Sequence, residues 1–207
     1  MDLAPTVIST GYATGLNAYG TIVLLNLLGR TGFGEVPEPL MGDTILIGAA
    51  VMYAIEFVTD KIPYLDNLWD VAHTVIRPAV ASLIGVEFAE YDQVSRAEQI
   101  VSGGASGGTA LVSHGIKAGV RLGINASPEP FSNILVSLIE DGIVAVVIAL
   151  VLAEPLIALA VVIVLLAIGV GLILLLRRAI RRALKNRGRP PDDRGPPSGA
   201  QPLEQGE

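Results

Sequence analysis

The chain has no cysteine and only two histidines among its 207 residues. Neither a disulfide framework nor a thiolate metal site can be built from it, and two histidines far apart in sequence do not preassemble a metal cluster. Aromatic residues make up 5% of the chain. That leaves little material for aromatic cages or base-stacking platforms, so nucleic acid is not an expected partner. A Walker A lysine, an HExxH pair and a GxSxG elbow are all missing. The N-terminal MDLAPTVISTGYATGLNAYG lacks the basic region that opens a signal peptide, and reads as part of the mature protein.

What the chain has in quantity is apolar residues, at 51%, with a mean hydropathy of +0.58. Soluble domains seldom reach that mean. Leu156 to Leu176 carry no charge over 21 residues, and about 20 apolar residues cross a bilayer. Seven of the 14 basic residues follow, between Arg177 and Arg189, with no acid among them. Such a run after a membrane helix marks the cytoplasmic side, and Arg177, Arg178, Arg181 and Arg182 could meet anionic lipid headgroups.

Six helical segments are expected, over 7–29, 43–59, 66–86, 98–124, 132–153 and 156–180. Asp43 would cap the second, Ser132 or Asn133 the fifth, and Pro155 would open the sixth; Pro78 should kink the third or end its first half. Residues 1–187 form the membrane domain, and the Pro- and Gly-rich stretch 188–207 a disordered cytoplasmic tail. TGYATG at 10–15 echoes SGGASG at 102–107 with an offset of 92. If that echo is a duplication, units 6–87 and 98–180 hold three helices each, and the second enters the membrane inverted, as in many secondary transporters. Chance repetition of glycine-rich helix packing is the alternative. The fold class expected is an all-α polytopic bundle of about six spans in the inner (plasma) membrane, both termini cytoplasmic, with homo-oligomerisation open.

Three polar stripes run through these segments. Asp66, Asp70, His73 and Arg77 fall at i, i+4, i+7 and i+11, an arc about 60° wide at 100° per residue. His114, Lys117, Arg121 and Asn125 form a second stripe, and Thr10, Thr14, Asn17 and Thr21 a third. Glu56, Asp60, Glu140 and Asp141 add acids in or beside spans, and Lys61 a base. Ionisable groups at membrane depth are costly and usually face a bundle interior or wet cavity. Lys117 and Arg121 alone would cost roughly 2.5–3.5 kcal/mol each at a helix centre, so 98–124 could be a tilted or re-entrant element. The candidate pathway residues are Thr14, Asn17, Asp60, Asp66, Asp70, His73, Arg77, His114, Lys117, Arg121, Asn125, Glu140 and Asp141. The near balance of acids and bases fits a path for an ion, proton or small polar solute. It equally fits a structural lock of interhelical ion pairs.

The strings GLNAY (15–19), EFVTDKIPYLDNLWDVAHTVIRP (56–78) and KAGVRLGINASPEPFSN (117–133), followed by Glu140-Asp141, resemble the bacterial membrane proteins grouped as domain of unknown function 4126. The likeness covers roughly residues 6–177 and implies an integral membrane protein of unassigned activity, with no cofactor and no catalytic residue to carry over. Arg77-Pro78 matches the Arg-Pro of lipid-phosphate phosphatases, but position 70 is Asp where that family has lysine, and Ser113-His114 lacks the intervening glycine. An enzyme is therefore not expected; one acting on a lipid headgroup or phosphate is the alternative, as is a regulatory scaffold.

Overall fold

The computed structural model describes residues 2–62, 64–125 and 130–187, leaving aside the side chains of 125, 130 and 183–187. These residues form seven α-helices and no strand: α1 (Leu3–Leu16), α2 (Ala18–Arg30), α3 (Asp43–Thr59), α4 (Leu65–Tyr91), α5 (Arg96–Asn125), α6 (Pro130–Ala153) and α7 (Pro155–Arg187). A short 3₁₀ turn, Glu38–Met41, precedes α3. The expected tail, 188–207, lies outside the described residues.

The bundle is apolar outside and charged inside. Arg77 and Arg121 are wholly buried, while Leu68, Val71 and Val75 on α4 are 68%, 71% and 74% exposed. Soluble monomers rarely carry large continuous apolar surface; here a hydrocarbon surrounding is what the exterior fits. Three helices are long and apolar enough to cross a membrane, namely Leu65–Tyr91, Phe131–Ala153 and Pro155–Arg182, with mean hydropathies of 1.3, 2.5 and 3.3.

Packing partners fix the direction of every helix. Gly11 lies against Ser106 and Gly15 against Ala110 and Ser113, so α1 and α5 run the same way. Gly119 meets Ile173 and Gly123 meets Leu176, which makes α7 parallel to both. The α4 helix runs opposite to α5, since Gly85 faces Ser102 and Ser106 while Gly107 faces Ser82 and Pro78. An inverted repeat would set α1 against α5, and these two are parallel. The offset of 92 also carries Asn17, a chain break, onto Thr109 inside the unbroken α5.

The expected single segment over 7–29 is in fact two helices that run opposite ways. Asn17, with φ −151° and ψ 103°, separates α1 from α2. Along α6, Thr6 shares a surface cleft with Val151 and Leu152, and Asn17 is bonded to Asp141. Gly34, just past α2, is back against Leu152. The chain therefore enters to the level of Asp141 and returns, as a helical hairpin with Asn17 at its tip. Each arm is about 20 Å long at 1.5 Å per residue, too short to span and of the right length to re-enter.

Five helices then alternate between the two ends of the bundle. As a result Leu3 lies at the opposite end from Arg182, a departure from the expectation of both termini on one side. Three smaller expectations also change. Gly42 caps α3, and Asp43 sits in its first turn, paired with Arg30. Pro78 does not end α4, which continues through it to Tyr91, with Gly107 of α5 packed on the Pro78 carbonyl. Ser132 and Asn133 lie inside α6, which starts at Pro130, a residue preorganised for a first helical position. Pro155 opens α7 as expected.

Candidate functional site

The hairpin tip, the α3–α4 corner and the inner faces of α5 and α6 meet at one level of the bundle. Their junction exposes backbone groups that no helix can satisfy. A helix leaves its last carbonyls without intrahelical donors, and their partial negative charge attracts cations. At the end of α1, Gly15 O accepts from Arg77 Nη1 at 3.2 Å and Leu16 O from Lys117 Nζ at 2.9 Å. Asp60, which ends α3, offers its carbonyl to Arg121 Nη1 at 2.9 Å and to Asn133 Nδ2 at 3.1 Å. Asn17 completes the tip. Its Oδ1 accepts from Gly20 N at 2.8 Å and so caps α2, while its Nδ2 donates to Asp141 Oδ1 at 3.0 Å.

The side chains form one continuous charge network. Arg77 Nη2 pairs with Glu56 Oε1 at 2.6 Å, and Arg77 Nη1 lies 3.3 Å from Asp70 Oδ1. Lys117 Nζ is 2.8 Å from Asp60 Oδ2, 3.5 Å from Glu140 Oε2 and 3.8 Å from Glu56 Oε1. Arg121 reaches Asp60 Oδ2 at 3.0 Å, Asp66 Oδ2 at 3.4 Å and Glu140 Oε2 in a close ion pair. Among the described residues, five carboxyl groups thus face three cations. Glu56 Oε2, Asp60 Oδ1 and both oxygens of Asp70 are buried without a protein hydrogen bond.

Both histidines belong to this network, and their partners settle their roles. Arg77 Nη1 lies 2.7 Å from His114 Nδ1. A guanidinium can only donate, so Nδ1 accepts, the ring is neutral, and Nε2–H donates to Asp70 O at 3.0 Å. Thr74 Oγ1 stands 3.2 Å from the same Nε2. His73 Nδ1–H donates to Trp69 O at 2.8 Å, and Tyr19 O–H lies 3.1 Å from its Nε2. Trp69 stacks on the His73 ring with centroids 4.6 Å apart. The residues available do not make a metal centre: among those described, no three His, Asp or Glu groups converge as ligands.

Of the sequence candidates, Asn17, Asp60, Asp66, Asp70, His73, Arg77, His114, Lys117, Arg121 and Glu140 come together here. Asp141 stands beside them, joined through Asn17. Thr14 does not take part. It is buried, but its hydroxyl donates to Thr10 O at 2.7 Å within its own helix, as Thr10 does to Thr6 O at 2.8 Å. The side chain of Asn125 lies outside the described residues. Glu56, one turn before Asp60, belongs in the set; its i, i+4 relation to Asp60 was the available signal. Asn133 and Tyr19 carried none, since one resembled a helix cap and the other a lone aromatic.

At the margin, Lys61 Nζ donates to Phe57 O at 2.9 Å and to Ser137 Oγ at 3.2 Å, and rests 3.0 Å from the centre of the Phe57 ring. Burial pushes its ammonium below its ordinary value, against the opposing charges of Asp141 and Asp60. A cleft of about 130 Å³ between α2, α3 and α6 reaches Asp141.

A family model described as domain of unknown function (DUF4126) matches residues 4–175. No curated protein and no solved structure gives a significant match.

Proposed function

The chain belongs to the DUF4126 family, and from that premise we propose that it is a multi-pass permease or channel for an ion, a proton or a small polar solute. The observation that carries this reading is the charge imbalance of the buried network. Among the described residues, five carboxyl groups against three cations, away from water, would hold an excess of two negative charges. Burying an ion costs several kcal/mol even after relaxation. The imbalance is relieved when the network takes up positive charge, as protons or as small cations. A centre that must bind positive charge at the level of a re-entrant helix tip has the makings of a carrier site. Broken helices whose freed carbonyls hold charge are a recurrent device of membrane transporters.

Proteoliposome flux tests this reading. Vesicles carrying the full chain should pass H⁺, Na⁺ or K⁺ down an imposed gradient, and Asp70→Asn and Lys117→Gln should each lower the rate at least tenfold. No flux from wild-type vesicles under any of these gradients would overturn it. One observation favours a second reading, a structural lock: none of the described clefts opens onto Arg77, Lys117 or Arg121.

The helix directions also support an orientation. Arg177, Arg178, Arg181 and Arg182 are exposed on α7 beyond Leu176, at the hairpin-tip end of the bundle. The other end gathers Asp2, Glu35, Glu38, Glu87, Glu90 and Glu98. Under the positive-inside rule the arginine end is cytoplasmic, where it would meet anionic headgroups of the plasma membrane. The hairpin then opens and closes outside, five helices cross, and the N-terminus is external. Because the chain has no cysteine, an introduced one is the sole thiol. A membrane-impermeant maleimide should label Glu35→Cys on intact cells, and Arg181→Cys only after permeabilisation. The reverse pattern would invert the orientation.

A further inference from the structure

The α3 helix stands apart from the rest of the bundle. Of its 17 residues, Ala49, Glu56 and Thr59 are buried, while Ile47, Val51, Ile55 and Val58 are exposed. It packs on α2, where a Cβ on Gly20 would lie 3.2 Å from Tyr53 Cε2, and makes a slighter contact with α4. Its N-terminal end is pinned to α2. Asn26 Nδ2 donates to Leu40 O at 2.8 Å, Arg30 Nη2 donates to Met41 O at 2.7 Å, and Arg30 pairs with Asp43. Its C-terminal end is held by charge. Glu56 pairs with Arg77 of α4, Asp60 just past the helix pairs with Lys117 and Arg121 of α5, and Lys61 bonds Ser137 of α6. The apolar face of α3 gains little by leaving hydrocarbon for protein. Packing on α2 and these polar ties therefore set where the helix lies. The corner that follows is strained: Tyr64 has φ 70° and ψ −32°, a conformation that a bulky side chain rarely adopts. Strain of this kind gathers at switch regions.

The charge count divides along the same line. Glu56 and Asp60 travel with α3. The carboxyls that remain on α4 and α6 are Asp66, Asp70 and Glu140, three against the three cations Arg77, Lys117 and Arg121. Among the described residues, the excess of two negative charges therefore equals the two carboxylates that α3 brings.

We infer that α3 is a hinged door over the charge network, latched shut by Glu56 and Asp60, and that it swings outward when positive charge neutralises this pair. With both groups neutral, their ties to α4 and α5 fall from charge-assisted to ordinary hydrogen bonds, roughly half as strong. Relaxation at Tyr64 then works in favour of release. The centre left behind holds equal numbers of carboxyls and cations, so opening strands no net charge in the bundle. Opening also gives Arg77 and Lys117 the route to the exterior that none of the described clefts supplies. What the door serves rests on the transport reading, whose flux panel identifies the neutralising charge. Its motion is measured without any flux.

Distances between spin labels on the full chain in phosphatidylcholine nanodiscs, read by double electron–electron resonance, test it. With no native cysteine to compete, Val58→Cys and Leu122→Cys put exposed labels on the last turn of α3 and on α5. Val75→Cys with Leu122→Cys is the control, a pair on α4 and α5 that the door does not move. With Glu56 and Asp60 intact, the Val58/Leu122 pair should give one distance. Glu56→Gln/Asp60→Asn should add a population longer by about 5 Å or more, the scale of a one-turn displacement, while the control distance stays fixed. Glu56→Gln alone, the milder change, should show the same population at lower weight. Asp70→Asn/Glu140→Gln removes as much charge from elsewhere in the network and should leave the door shut. Equal Val58/Leu122 distributions with and without Glu56→Gln/Asp60→Asn would overturn the inference. So would a control pair that broadens equally, since the whole bundle would then have loosened, or the longer population appearing in Asp70→Asn/Glu140→Gln. Opening without flux in wild-type vesicles removes the transport reading alone, and flux with a fixed α3 removes the door alone.

Discussion

Arg121→Met is expected to lower the stability of the bundle by about 3–5 kcal/mol, the range for removing one partner of a buried ion pair. The side chain is wholly buried and serves Asp60 Oδ2, Asp66 Oδ2, Glu140 Oε2 and the Asp60 carbonyl together. Methionine fills much of the volume but returns none of these bonds. Five carboxyls would then face only Arg77 and Lys117. The double variant Arg121→Met/Glu140→Leu removes a cation and a carboxyl together, leaves the imbalance at its native value, and should recover a measurable part of the loss. The cycle of the two single variants and the double measures the coupling directly. Trp69 is the chain's one tryptophan and stacks on His73 inside the network, so its fluorescence during thermal unfolding in detergent reports on this region. Equal midpoints for Arg121→Met and wild type would mean that the guanidinium is not paired as described. The cycle also bears on what the network is for. A pure lock regains whatever it loses once stability is restored, whereas a pathway keeps its flux defect in the stabilised double variant.

The parts of this centre that could be read from the residues were those governed by helical periodicity. Asp66, Asp70, His73 and Arg77 share one face because α4 is continuous, and 3.6 residues per turn leaves no other outcome. His114, Lys117 and Arg121 follow from the same rule on α5. Lys117 and Arg121 looked too costly for a spanning helix when α5 was considered alone. Their cost is offset by acids on α3, α4 and α6, partners that lie up to 61 residues away and leave no local mark. The reversal at Asn17 was hidden for a different reason. Residues 7–29 are apolar at about the length of one span, and one extended residue turns the chain where proline would have announced a break. Asn17 works as a tip because it can end one helix, cap the next and bond a third, and only the last two of these depend on its side chain. Asn133 was misplaced because asparagine near a helix start usually caps it. Here Pro130 opens the helix one turn earlier, and Asn133 turns inward to Asp60.

Gly15→Ala and Gly108→Ala are the same chemical change, and they should have opposite effects. A Cβ on Gly15 would fall onto Ser113 Oγ and the Ala110 carbonyl oxygen, and would stand 2.8 Å from Ala110 Cα. Two of these three atoms are backbone, so the strain cannot be shed by a rotamer change. The α1 helix would have to move off α5, and overpacking of this kind costs about 1–3 kcal/mol. The movement would also draw Gly15 O away from Arg77 and Leu16 O away from Lys117, leaving buried donors short of partners at about 1–3 kcal/mol more. A Cβ on Gly108 meets nothing within 4 Å. There alanine should be neutral or stabilising by about 0.5–1 kcal/mol, because glycine is the poorer helix former. Unfolding midpoints of the two variants in one detergent give the comparison, and a shared midpoint would remove the close approach of α1 to α5 on which the hairpin tip depends. The same kind of contact accounts for most of the glycines in the echoed strings TGYATG and SGGASG. Gly11 packs on Ser106 of the second string, while Gly103 and Gly107 of that string pack on Ser82 of α4. Each string is glycine-rich to admit a different neighbour, and parallel helices in contact need no duplication to share that composition.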